Sequence, residues 1–251
     1  MVSRWKAALL HLAGSVGVVG LVTVVLVQLW FPAPYSKLSG GLELLALLLA
    51  VDVALGPVLT AVAASPGKPL RVLARDLLLI LALQLGAFGY GLYTMAVARP
   101  VGLVFEVNHL RVVSSADIDP ELLRDAPADM RQLSWTGPRL FAAVKPTDGK
   151  QLLEAIDYGL AGVDLAMLPK HWRPYASRQA EVLKVAAPAA HLLAEHPRVM
   201  AEVERLAGAA GVPADQLRVL PVRAPKADDW VALVAPTDGR IVGLLDPKAA
   251  Q

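Results

Sequence analysis

The chain has 251 residues, of which 55% are hydrophobic and only 18% charged, and its mean hydropathy is +0.50. Soluble domains average nearer ~25% charged residues. The net charge of +2 without a long Lys/Arg run leaves no nucleic-acid footprint, and the lack of cysteine excludes disulfides, thiolate chemistry and cysteine-type zinc sites.

The apolar excess lies before residue 100, so the chain reads as a membrane-embedded part (1–99) and a globular part (100–251). Crossing a bilayer as helix takes about 20 apolar residues. Three segments meet that length, at about 7–31, 40–64 and 77–98. Pro32 and Pro34 end the first, and Pro66, Gly67 and Pro69 end the second. The first segment is read as a retained span, because its apolar run far exceeds the ~7–15 residues of a signal-peptide core.

Basic residues set the orientation. Arg4 and Lys6 precede the first span, and Lys68, Arg71 and Arg75 lie between the second and third. Only Lys37 lies between the first and second. The N-terminus and the second connection are therefore expected in the cytoplasm. Three crossings then place 100–251 on the far side, the periplasm of a bacterium with an outer membrane.

The second span contains an anomaly, VDVALGPVLT, with Asp52 near mid-span and Pro57 after Gly56. An Asp at that depth costs ~2.5–3.5 kcal/mol for insertion unless it is partnered. Pro57 lacks an N–H and its ring clashes with the Val53 carbonyl, so a kink is expected there. Asp52, Gly56 and Thr60 fall at i, i+4 and i+8 on one helical stripe. Three readings stand: glue inside the bundle, a docking face for a helix of another protein, or an ion or proton path, the last disfavoured because neither inverted repeats nor paired polar sites are seen. Gly14, Gly17 and Gly20 of the first span, and Gly86 and Gly89 of the third, are expected to let helices approach closely. Gln84 of the third span is a candidate partner for Asp52, and Arg75 and Asp76 are read as structural membrane-interface residues.

Beyond residue 100, VGLVFEV and LRVVS alternate as two strands joined at Asn108-His109. Asp119-Pro120 opens a short helix, residues 138–144 read as a strand, and Asp148 is placed to cap a helix. A helical middle runs from about Ala176 to Gly211, broken at Pro188 and Pro197. LRVLPV, WVALVA and RIVGLL close the chain as strands, the last two joined by an Asp-Gly turn at 236–239. The fold class is thus a three-helix transmembrane N-terminal region plus an α+β periplasmic C-terminal domain. His191 and His196 are five apart and miss a helical metal-binding spacing, while His171 sits in the turn-like PKHWRPY. Trp135, Trp172 and Trp230 are read as core. No nucleophile elbow, zinc-protease, P-loop or dinucleotide motif is present. No catalytic residue, metal or cofactor is assigned, and a binding or assembly role is favoured over catalysis.

SRWKAALLHL, VDVALGPVLT, SPGKPLRVLARDLLLI and LQLGAFGYGLYTMAVARPVGLVFEVNHLRVVSSADI resemble the TfpX/TfpZ family of type IV pilin accessory proteins. The resemblance spans nearly the full length and is strongest over residues 1–118. It implies an inner-membrane factor that acts on the major pilin, in contact with the bilayer and with other inner-membrane pilus assembly components. The Asp52, Gly56, Pro57, Thr60 stripe is then the candidate seat for pilin's transmembrane helix. The competing function is an envelope enzyme that modifies pilin or another periplasmic substrate. A sensor module is disfavoured, because the expected cytoplasmic parts are only a tail and one loop.

Overall fold

The computed structural model describes residues 4–65 and 67–248, and the side chains of residues 4, 47, 48, 51 and 52 lie outside that description. Pro66, expected to help end the second apolar segment, is therefore outside the described residues. The chain divides into two compact units: Met1–Ser36 with Gly40–Arg99, and Lys37–Ser39 with Pro100–Gln251.

The first unit is helical. Helix α1 covers Arg4–Leu29, and a single turn, α2, covers Tyr35–Leu38 at the boundary of the units. Helix α3 is Gly41–Ala50, α4 is Gly56–Ala63 and α5 is Leu70–Ala98. Two helical segments, Trp5–Leu29 and Leu70–Ala98, are long and apolar enough to cross a membrane. The second apolar segment, expected as one span over 40–64, is instead in three pieces: α3, a π-helical turn at Val51–Leu55, and α4. Pro57 supplies the reason. It cannot donate to the Val53 carbonyl, and a π turn re-spaces the backbone where the regular ladder fails. Helix α5 also begins seven residues before the expected 77, so Arg71, Arg75 and Asp76 ride on its first turns rather than in a loop.

Leu26, Phe31, Leu45 and Met95 form the buried apolar centre of this unit. Close approach occurs at Gly41, where a Cβ would stand 2.5 Å from the Phe31 ring. The expected contact glycines behave differently: a Cβ at Gly14, Gly17, Gly20, Gly86 or Gly89 would meet nothing within 4 Å. The side chains around them stand away, and the helix contacts are made elsewhere.

The second unit is built on a mixed eight-stranded sheet. Its strands are β1 (Pro100–Glu106), β2 (His109–Ser114), β3 (Arg139–Ala143), β4 (Trp172–Pro174), β5 (Ala187–Pro188), β6 (Arg218–Ala224), β7 (Ala227–Val234) and β8 (Ile241–Leu245). The order is β4-β3-β1-β2-β6-β7-β8, with β5 added beside β6. Pairs β1/β3 and β2/β6 are parallel, and the rest are antiparallel. Strand β1 is buried along almost its whole length, which fits its nearly unbroken apolar run.

Helices α6 (Gly149–Leu160), α7 (Gln179–Val185), α8 (Ala189–Glu195) and α9 (Met200–Ala210) complete the unit. Asp148 caps α6 as expected, its carboxylate accepting the Gln151 N–H at 3.0 Å. One core gathers Val104, Val113, Met130 and Phe141 around Trp172, whose ring stacks on Phe141 at 5.0 Å and donates to the Ala166 carbonyl. A second core packs Leu192 and Val203 of α8 and α9 against Leu217, Leu233 and Leu245.

Five expectations change. PKHWRPY holds a 3-10 turn followed by strand β4, and Ala187-Pro188 forms β5 within the expected helical middle. The segment after Asp119-Pro120 is a 3-10 turn at Leu122–Asp125, with Asp119 accepting the Glu121 N–H. The β1–β2 turn falls on Val107 and Asn108, one residue earlier than expected. Trp135, read as core, is 59% exposed.

A polar level inside the helical unit

Three helices bring polar side chains together at one level of the first unit. Thr60 of α4 is 2% exposed, and its hydroxyl lies 2.6 Å from Nδ1 of His11 on α1. Gly56, one turn before Thr60, is also buried. A Cβ there would collide with the Gln84 amide of α5 and stand 2.8 Å from Nε2 of His11. Only a glycine leaves room for both side chains. The α4 stripe therefore supplies a gap and a hydroxyl, and α1 and α5 fill the gap with an imidazole and an amide. In apolar surroundings such contacts hold helices in one register, since each polar group would otherwise lack a partner.

The sequence-predicted site residues thus separate. Gly56, Thr60 and Gln84 converge. Pro57 faces outward and lines an apolar groove of about 690 Å³ between α1 and α4, with Trp5, Leu9 and Leu12 on one wall and Val58 and Val62 on the other. The Asp52 side chain lies outside the described residues, and its backbone belongs to the π turn. Asp76 pairs with Lys68, whose ammonium also donates to the Ala63 carbonyl at 3.1 Å. That tie closes the connection between α4 and α5. Arg75 is exposed. His11 was not singled out from sequence. Its signal is the one that exposed Asp52: a polar side chain within a long apolar run.

The sheet unit also collects polar groups. Glu106, at the end of β1, is the register partner of His109 at the start of β2. Its carboxylate accepts the Ala166 N–H at 3.0 Å, and Arg111 of β2 forms an ion pair with Asp164. These two ties strap the turn at 164–166 to the hairpin. Burial pushes the Glu106 carboxyl above its ordinary value, against the Ala166 hydrogen bond. Burial, with Arg223 and Arg111 nearby, pushes His109 below its own. Among the described residues no group of three or more His, Asp or Glu side chains is arranged to hold a metal ion.

A family model described as Fimbrial assembly protein FimB matches residues 1–40, which include α1 and His11. The fimbrial assembly protein of serogroup I from Dichelobacter nodosus is 30% identical over 230 residues, covering 91% of this chain and 90% of that one. The serogroup E1 protein of the same organism is 30% identical over 227 residues, covering 90% and 87%. The protein of serogroups C1 and C2 is 38% identical over 113 residues, 45% of this chain and 86% of its own. The chain belongs to the fimbrial assembly protein family. No solved structure matches it.

Proposed function

We propose that the protein is an inner-membrane accessory factor for type IV pili, of the TfpX/TfpZ kind, that supports the stability and assembly of the major pilin by direct contact. The observation that carries this reading is the apolar groove between α1 and α4, backed by the polar level at His11, Gly56 and Thr60. The hydrogen bond between His11 and Thr60 fixes α1 against α4, the two helices that form the groove, so that it holds its shape while an apolar helix slides in. The family's curated relatives are named fimbrial assembly proteins, which supports a role on the assembly route.

Membrane embedding rests on length and exposure. At ~1.5 Å per residue, α1 and α5 are each longer than the ~30 Å hydrocarbon core. The run Gly41–Ala63 is interrupted by the π turn but stays helical, and at the same rise it reaches ~34 Å. It serves as a third crossing. Leu10, Leu21, Leu78, Leu79 and Leu83 are exposed on α1 and α5, a display that water does not favour and lipid does. Lys6, Lys68 and Arg71 then mark the cytoplasmic side, and the sheet unit lies in the periplasm. Lys37–Ser39 belongs with the sheet unit, where the Leu38 carbonyl accepts the Lys226 N–H at 3.1 Å. That contact fits a first connection on the periplasmic side.

In this reading Pro57 lies in the partner's seat, Gly56 and Thr60 hold its back wall, and Asp52 pairs with a polar group of the pilin helix. The role is non-enzymatic in this reading: the Glu106 carboxylate and the Arg111 guanidinium, two half-buried charged groups of the sheet unit, both hold the 164–166 turn. The test is cross-linking in native membranes from single cysteines at Val58 or Val62 in the groove and at Leu83 on α5. Pilin captured from the groove and not from Leu83 is the expected result. Failure of both groove positions to capture pilin, with Asp52→Asn leaving piliation unchanged at normal protein level, would remove the docking role and leave the stripe as internal glue.

A further inference from the structure

The parallel pairing of β2 with β6 sets Arg111 and Arg223 side by side as register partners. Adjacent strands lie ~4.8 Å apart, and like charges so placed repel. Asp164 offsets only Arg111. Arg223 is exposed and forms no ion pair or hydrogen bond among the described residues, and Nε of Arg111 is buried without a partner.

Both arginines line one cavity of about 500 Å³ with Ala224, Pro225 and Asp228. That volume suits a small ligand or a few residues of a chain. The cavity's far wall comes from a bulge. Val222 pairs with Trp230 and Ala224 with Ala227, so Arg223 alone stands opposite both Asp228 and Asp229. Asp229 is taken by Lys248 at 2.6 Å, while Asp228 faces the cavity and forms no ion pair among the described residues. Bulges of this kind re-aim side chains and recur beside binding sites.

From this juxtaposition we propose that the cavity between Arg223 and Asp228 is a peptide-binding site that takes a carboxylate-bearing segment of a protein partner. The Arg223 guanidinium receives the carboxylate as a two-pronged fork. Asp228 accepts an N–H from the same segment. A phosphate, at about −1.5 to −2 charges, suits the cavity less, because Asp228 already brings a carboxylate to it. The site lies in the sheet unit, and its assignment goes beyond the pilin-docking groove and does not depend on it.

The test uses the full chain in lipid nanodiscs and saturation-transfer NMR of three probes: N-acetyl-Gly-Glu-Gly-amide, its Gln counterpart, and inorganic phosphate as competitor. Saturable binding of the Glu peptide with a Kd of about 1 mM or below is expected, at least about tenfold weaker for the Gln peptide and for Arg223→Gln. Arg223→Lys keeps the charge without the fork and should fall between. Arg223 is exposed, so these variants should leave the fold intact, which a melting curve checks. Equal binding of the Gln peptide, unchanged binding in Arg223→Gln, absence of binding, or phosphate displacing the peptide at lower concentration would each overturn the assignment.

Discussion

His11 and Thr60 meet at 2.6 Å, and the buried Thr60 hydroxyl has no water as an alternative partner there. Thr60→Val keeps the side-chain shape and removes the hydroxyl. Hydrogen bonds between membrane helices contribute on average ~0.6 kcal/mol and at most ~1.7. The variant should lower stability in a detergent unfolding titration by an amount in that range, and no change would mean that His11 finds another partner. In the sheet unit, His109 carries a pH dependence. Burial is the main cause that lowers its proton affinity below the ordinary 6.5, Arg223 and Arg111 add to it, and Asp164 opposes it. The unfolded chain therefore takes the proton first. The stability from neutral His109 is present above 6.5 and is lost as pH falls through the lower folded value. Glu106 acts with the opposite sign: its raised value favours the folded state as pH falls toward 4.5. Melting temperature should thus drop on acidification below about 6.5 less steeply in His109→Gln than in the parent. Superimposable pH profiles would rule out His109 as the source.

The second apolar segment shows how one residue reshapes an element. Pro57 was legible as an irregularity, but its outcome, a π turn at Val51–Leu55 running on into α4, depends on what α4 packs against. Gly56 must remain open for Gln84 and His11, and those residues stand on other helices. The β7–β8 hairpin is the opposite case. Its Asp-Gly turn was readable because a local backbone need, φ of +71° at Gly239, selects the residue. Tertiary packing adds a second demand, since a Cβ at Gly239 would stand 2.8 Å from the Gln179 carbonyl oxygen. Gly239 also accepts the buried Tyr175 hydroxyl at 2.7 Å. Gly239→Ala should therefore cost more than the ~1–2 kcal/mol of a left-handed conformation alone, as read from chemical denaturation of the sheet unit. A loss below ~1 kcal/mol would show that the α7 start yields easily. Strands β4 and β5 were not legible, because three- and two-residue strands have too few positions for alternation to register.

Among the described residues, the clusters around Trp172 and Leu217 draw on residues after Arg99, and the cluster around Phe31 draws on residues before it. A fragment of residues 100–248 should accordingly fold in water without detergent, with a cooperative melt and a sheet-rich circular dichroism spectrum. Aggregation of that fragment under conditions where the whole chain stays folded would mean that the Leu38 contact, or the helices themselves, complete the sheet unit.

Long apolar runs, strand alternation around Asn108, the Asp148 cap and the Asp-Gly turn were all present in local order, since each depends on neighbours within a few residues. So was the anomaly at Asp52 and Pro57, because a carboxylate and a helix breaker stand out against any apolar background. The sites were legible only in part: Gly56, Thr60 and Gln84 stood out, but not His11, nor the meeting of Arg111 and Arg223. The first four come from three helices, and the two arginines from strands made neighbours by a parallel pairing. Such convergence is set by which apolar faces pack together and in what register, and spacing along one strand or helix carries no record of that choice.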